Sequence, residues 1–539
     1  MPIVFINNPG NYNSSEKEIT KYLKKFDTEN LIEKITVYSN QFSEADTWGI
    51  PEVNNISLNK ISILLLSSKS CSTRKITDQE FIELNKMVNS AEEKFPDQPN
   101  ELFYLKFILK TSYTQFIFNR SKLLYQISNF WYLYKDNADK NHISLNIFFN
   151  EASNIRFEEF AALTFLIKAI SHRYGTINLE NLRVQFKSLD ALEKIKILLN
   201  QFSKSIKDLR KEYKSNNKFK INPEKFDNFN ILRDFPFVKF DENRFICPFD
   251  IFLLHKVTTN YYYYILSHFA IIEEKTNPRN INSFDNKFSR SYGLALENLV
   301  DSFLSALNPK FKKLPEFQFS KPQIRSADYH IYENGYLYLI QLKNKRLTLK
   351  SQVGNLETYF KDIELAIVKP YIQNLKLINN ANYLTEVQKR MKFHQINEII
   401  NLIIYPEDIY GIQNDSVKEF IENKINEFKT ENKFNSKYII KTAFITLEGF
   451  QILMELATYD QNRIIKYINK YNKYLNQQSQ LSAAGNNAGE LLFSFEEFLS
   501  TLGKNKSIQS KFISSNYFEF ITYTQNYAKQ AFDVQVSSA

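Results

Sequence analysis

The chain has 539 residues, 43% of them hydrophobic and 24% charged, which suits roughly three domains with sizeable cores and excludes global disorder. Its formal net charge of +10 leans toward a polyanionic partner, weakly so if the charge is spread evenly. It holds only eleven glycines, no two closer than four apart, so neither G-x-G-x-x-G nor a Gly-rich loop ending in Gly-Lys-Ser/Thr exists, and a P-loop ATPase or dinucleotide enzyme is excluded.

The opening residues 1–6 lack a basic segment, and their apolar run is too short for a signal peptide. No stretch of about 18 uncharged apolar residues follows, so no membrane span is expected and the chain reads as a cytoplasmic soluble protein. Short apolar runs at 3–6, 35–38 and 63–66 predict strands. From residue 78 to about 217 the pattern turns helical, with one long aromatic-rich helix over 103–134 and one amphipathic helix over 190–213. The polar stretch 214–230 predicts a linker. Residues 235–240 and 244–246 predict a small hairpin turning at Asp241–Asn243, followed by a helix that opens on Tyr261, Tyr262, Tyr263 and Tyr264. A second polar break falls at 277–286, and a helix is expected over 288–307. Strands, a hairpin, a helix over 356–369 and strand-like runs at 399–405 and 438–445 come next. The remainder reads as helical, with a loop at 479–489. The fold class is therefore a multidomain α+β chain, with an α/β core over 285–455.

Cys71 and Cys247 make neither a disulfide framework nor a Cys-rich zinc site, and both read as inert. None of the six histidines sits at the i, i+4 spacing of a helical zinc pair. The chemistry concentrates instead between Ser326 and Lys343. Asn334-Gly335 lies between two alternating runs and predicts a two-residue hairpin turn, in which both residues take positive φ. That turn sets Asp328 opposite Gln341 and Ser326 opposite Lys343. One face carries Asp328, His330, Tyr332, Leu337, Leu339, Gln341 and Lys343. The other carries Ala327, Tyr329, Ile331, Tyr338, Ile340 and Leu342 and is expected to be buried, which fixes the register.

Asp328 is a hard oxygen ligand for Mg²⁺ or Mn²⁺, and Gln341 offers a neutral carbonyl oxygen. Lys343 can position or deprotonate water and stabilise charge on a phosphate. Glu297 supplies a second carboxylate from the preceding helix, at the edge of a stripe formed by Leu296, Leu299, Val300, Phe303 and Leu307. Taken singly, Glu297 reads as a solvated helix residue, His330 as a packing or substrate contact, and Tyr261–Tyr264 as packing rather than base-stacking groups.

Together Glu297, Asp328, Gln341 and Lys343 resemble the site of the PD-(D/E)xK nuclease superfamily, in which a helix carries Glu, a strand carries Asp and the next strand carries (D/E/Q)-x-K. Gln341 departs from the usual acid and looks like the Q-x-K variant of the Mrr-like restriction nucleases. The resemblance covers residues 285–455. It implies a restriction-endonuclease-like mixed sheet flanked by helices, Mg²⁺ or Mn²⁺ held by Glu297, Asp328 and Gln341, and metal-dependent hydrolysis of DNA, double-stranded by expectation, in bacterial restriction or antiphage defence. A decayed nuclease fold used for nucleic-acid binding or scaffolding, and an RNase on the same fold, are the alternatives.

Charge agrees with a nucleic-acid partner. Residues 309–350 hold nine basic residues against three acids, more than half of the whole chain's excess. Among these Arg325, Lys345, Arg346 and Lys350 are the expected phosphate contacts. Residues 1–235 form an N-terminal α+β region for sensing, assembly or partner binding, with a partner protein or a second copy as candidate occupant. Residues 236–284 connect it to the nuclease-like region, and 456–539 form a helical C-terminal extension.

Overall fold

A computed structural model describes residues 14–44, 49, 52–91, 100–110, 120–135, 144–223, 225–258, 261–276, 283–319, 324–459, 464–483, 495, 498 and 511–532. They form an α+β chain, mostly helical before residue 235 and after 446, with sheets of four, five and two strands.

Eleven strands are described: β1 (Thr176–Asn178), β2 (Ser203–Ser205), β3 (Phe237–Lys239), β4 (Arg244–Ile246), β5 (Lys312–Pro315), β6 (Gln318–Phe319), β7 (Ile324–Arg325), β8 (Tyr329–Glu333), β9 (Tyr336–Leu342), β10 (Glu398–Tyr405) and β11 (Ile439–Thr446). The central sheet runs β11-β10-β9-β8-β5. β5, β8 and β9 form an antiparallel meander, whereas β9, β10 and β11 are parallel. Parallel neighbours need crossovers. The first is built from the helices Leu349–Gln352, Leu356–Ile363, Lys369–Ile378 and Ala381–Met391, and the second from Asp415–Glu431.

The β8–β9 hairpin has the expected register, pairing Tyr329 with Ile340 and Glu333 with Tyr336. Its turn has φ of +47° at Asn334 and +90° at Gly335. A side chain at position 335 would meet the Asn397 side-chain amide, which would have to shift, and the positive φ is what favours glycine there.

Both faces of the hairpin are buried, not one. Tyr329, Ile331, Tyr338 and Ile340 share a core with Leu296, Leu299, Val300 and Phe303 of the helix Ser283–Ser305. Leu337 and Leu339 share the second core with Tyr359, Ile363 and Leu375 from the first crossover. Each core also draws on the N-terminal region, Phe130 and Phe149 in the first, Leu58 and Leu105 in the second.

Several expectations are corrected. Residues 35–38 and 63–66 are helical, inside Thr28–Glu44 and Asn55–Ser67. Short apolar runs do not distinguish a strand from an all-round buried helix, and a capping box of Asn54 and Ser57 starts the latter helix. The expected strand at 3–6 lies outside the described residues. The 103–134 stretch contains two helices, Glu101–Leu109 and Arg120–Tyr134, and residues 111–119 between them lie outside the described residues. The 190–213 helix is broken by β2, after which Ser205 caps Ile206–Ser215 by accepting the Asp208 amide at 3.1 Å. Residues 214–230 are no linker, since Phe219, Phe226 and Phe229 are buried and Asn222 reaches the Val353 carbonyl at 3.0 Å. The helix expected to end at 369 continues as a π turn over Glu364–Val368 into Lys369–Ile378. Pro370 lacks an N–H, so no bond to a carbonyl four residues back is lost when the turn widens beside it.

The 235–246 hairpin, the Tyr261–Thr276 helix, the helix around Phe288 and the strands near 399 and 439 stand as expected. Of the break expected at 277–286, residues 283–286 are instead the start of the helix Ser283–Ser305; residues 277–282 and 484–489 lie outside the described residues, while 479–483, expected as loop, end the helix Ile464–Ala483.

Candidate nuclease-like site

The site lies where the antiparallel ladder of β8 and β9 gives out. The register would bring Leu342 opposite Ala327, yet the Leu342 N–H donates to the Asp328 carboxylate at 2.7 Å and the Ala327 N–H to the Tyr383 hydroxyl at 3.4 Å. The ladder does not extend to the expected pair of Ser326 and Lys343. The Ser326 N–H pairs with the Phe317 carbonyl at 2.9 Å, drawing the chain into the small β6–β7 hairpin. On the other side the Lys343 N–H bonds the Ile404 carbonyl at 3.0 Å and extends the parallel pairing with β10.

Glu297 reaches this end from the helix Ser283–Ser305. The Tyr329 hydroxyl donates to the Glu297 carbonyl at 2.8 Å and so fixes that helical turn over the start of β8. The Glu297 side chain is exposed. Burial pushes the Asp328 carboxyl up from its usual range, against the pull of Lys343 and the Leu342 N–H. Desolvation by the surrounding protein, although the residue keeps an open surface, also raises the Glu297 carboxyl, and the charges of Asp328 and Glu316 raise it further while Lys343 and Arg325 act against them. Glu297, Asp328 and Lys343 thus form one electrostatic group. Glu316 joins it, ion-paired to Arg325 at 3.8 Å across the β6–β7 hairpin. Sequence reasoning missed Glu316 because only that hairpin folds it back toward Asp328.

Gln341 and Lys343 both meet the helix Lys369–Ile378. Gln341 is fully buried and donates from Nε2 to Asn374 Oδ1 at 3.1 Å. Lys343 Nζ donates to Gln373 Oε1 at 3.3 Å. Two adjacent helix residues therefore hold the two polar positions of the Q-x-K segment on one side of the sheet. His330 is a packing residue. It is wholly buried, with Nδ1 3.1 Å from the Leu314 carbonyl and Nε2 2.7 Å from the Tyr383 hydroxyl. The carbonyl can only accept, so Nδ1 carries the proton and the Tyr383 hydroxyl donates to Nε2.

The basic set divides. Arg325 is 71% exposed at its side chain and Lys350 is exposed. Lys345 pairs with Asp362 at 3.0 Å. Arg346 is not on the surface, which corrects its expected role as a phosphate contact. It is 7% exposed, donates to the Tyr292 hydroxyl at 2.9 Å, pairs with Glu407 and lies 4.4 Å from the Tyr262 ring centroid. Its guanidinium is committed to an aromatic and carboxylate surround. Tyr261 and Tyr262 are buried, in keeping with packing.

The donor set suits a hard divalent cation. Gln341 Oε1 is buried and has no hydrogen-bond partner, a lone-pair oxygen one residue beyond the last observed β8–β9 pair, Tyr329 with Ile340. With the carboxylates of Asp328 and Glu297 it offers oxygen ligands only, as Mg²⁺ and Mn²⁺ prefer. Among the described residues no three Asp, Glu, His or Cys side chains gather as a metal-binding group. Comparisons of the chain with family models, with curated proteins and with solved structures return no match.

Proposed function

We propose that this chain is a metal-dependent DNA endonuclease that hydrolyses phosphodiester bonds, with a role in restriction or antiphage defence. The observation that supports the reading is the electrostatic grouping of Glu297, Asp328 and Lys343 at the open end of the β8–β9 ladder, on whose strand β9 Gln341 carries an unpartnered buried oxygen. Asp328, Glu297 and Gln341 would hold Mg²⁺ or Mn²⁺, which supplies charge neutralisation and a more acidic bound water. The Lys343 ammonium, tethered by Gln373, would stabilise charge gathering on the phosphate. Exposed Arg325 and Lys350 would contact flanking phosphates of a double-stranded substrate.

A second reading, a binding or scaffold protein on a decayed nuclease fold, draws support from the neutral and fully buried Gln341. Plasmid DNA and a structured RNA should be incubated with the protein in Mg²⁺ or Mn²⁺, alongside Lys343→Ala and Asp328→Ala. DNA cleavage is expected, reduced by at least ~10² in Lys343→Ala while DNA binding persists. Cleavage of RNA alone moves the substrate class. Equal cleavage by wild type and Lys343→Ala, or none by either, favours the scaffold.

A further inference from the structure

Asn374 lies inside the helix Lys369–Ile378, fully buried against the sheet. Its amide is oriented by a group that cannot turn over. Nδ2 donates to the backbone carbonyl of Leu339 at 3.2 Å and to Oδ1 of Asn401, on β10, at 2.6 Å. Both amide protons are thereby used. Reversing the amide would set its oxygen against the Leu339 carbonyl, lone pair to lone pair. Asn374 Oδ1 is therefore committed as an acceptor, and only the NH₂ of Gln341 can answer it. The Gln341 nitrogen must face the helix, and its oxygen must face away, where it is buried and unpartnered.

We propose that Asn374, braced by Asn401 and the Leu339 carbonyl, is a positioning residue that presents the Gln341 oxygen as a neutral ligand to a divalent cation. This rests on the metal-dependent reading of the site. The helix behind the sheet thus dictates the amide at 341, because a carboxylate there would face an oxygen that cannot become a donor. Polar groups behind a metal ligand commonly matter ~10–100-fold to metal affinity.

The test uses the full-length chain carrying Lys343→Ala, bound to duplex DNA, with Mn²⁺ binding followed by electron paramagnetic resonance. Asn374→Leu is expected to weaken Mn²⁺ binding ~10–100-fold, and to cause no further loss in a Gln341→Met background. A second readout needs no metal. In protein labelled with ¹⁵N at glutamine side chains, the Gln341 NH₂, assigned by its loss in Gln341→Met, should resist solvent exchange in the parent and lose that protection in Asn374→Leu. Equal Mn²⁺ losses in both backgrounds, unchanged Mn²⁺ binding in Asn374→Leu, or an unprotected Gln341 amide in the parent would each overturn the positioning role. A parent that binds no Mn²⁺ yet protects the amide fails differently: the metal-dependent reading falls, and Asn374 is then a packing residue.

Discussion

His330 illustrates how much a single side chain settles. Burial holds its imidazole down at about 4, against the Leu314 hydrogen bond that favours the charged form. An unfolded histidine titrates near 6.5, so between these values the unfolded chain binds the extra proton. Stability from this group is full above pH 6.5 and is lost as pH falls toward 4, by about 1.4 kcal/mol per unit and about 3 kcal/mol in all. Urea unfolding at pH 7 and pH 4.5 should show this component in wild type and lack it in His330→Gln. Equal pH slopes in the two proteins would remove it. Arg346 and Arg325 make an opposed pair. Arg346→Ala strands Glu407 and the Tyr292 hydroxyl in the interior and should cost about 3–5 kcal/mol in urea unfolding. Arg325→Ala should leave stability within ~0.5 kcal/mol and lower the salt dependence of DNA binding by about one unit. A destabilised Arg325→Ala, or an Arg346→Ala as stable as wild type, would reverse that division. The sequence carried no sign of it, since both arginines sit in the same basic stretch. The pairs from Tyr329–Ile340 to Glu333–Tyr336 could be set beforehand because a local turn fixes the count between them, whereas the expected pairing of Asp328 with Gln341 lies one step past the end of the observed ladder. Asn374 could not be placed beforehand, because its partner lies 33 residues away and a polar residue within a helix reads as solvated.

At the scale of elements, the turn at Asn334-Gly335 is the strongest local determinant, and the register it implies is the one observed. Gly335→Ala should cost about 1–2 kcal/mol, since a positive φ strains any Cβ even after the Asn397 amide moves aside. Thermal unfolding checks this, and a variant as stable as wild type would mean that the turn adopts another form. Elements defined by neighbours distant in sequence were less legible. β2 interrupts an amphipathic pattern for only three residues and exists because Ser203 pairs with Phe237 on β3. The helices around Ile35 and Ile63 were hidden because packing, rather than period, decides what a short apolar run becomes. The expected helix stops at 369, just before Pro370, whereas proline is tolerated in the first turn of Lys369–Ile378. That truncation concealed the residues that hold Gln341 and Lys343.

For the whole molecule, the boundary expected at 285 does not mark a gap in packing. The helix Glu101–Leu109 seats on the central unit, where Glu101 accepts from Asn414 Nδ2 at 2.8 Å and Leu105 fills the space in which a side chain on Gly411 would sit. Arg346 is similarly lodged against Tyr262. A fragment spanning 285–455 should therefore fail to fold cooperatively, with amides of β9 exchanging hydrogen far faster than in the full chain. Cooperative unfolding of that fragment near the midpoint of the full chain would show that the N-terminal region is dispensable for stability. The burial of β9 on both faces has a consequence for sequence variation. A strand with one wet face accepts change at every second residue. Here a saturation scan from Leu337 to Gln341 should find intolerance at every position, with no alternation. Depth of selection alone would then fail to separate chemistry from packing along this strand. The separating signature is qualitative: 337 to 340 should accept other bulky apolar or aromatic residues in part, while 341 should reject every apolar residue for activity.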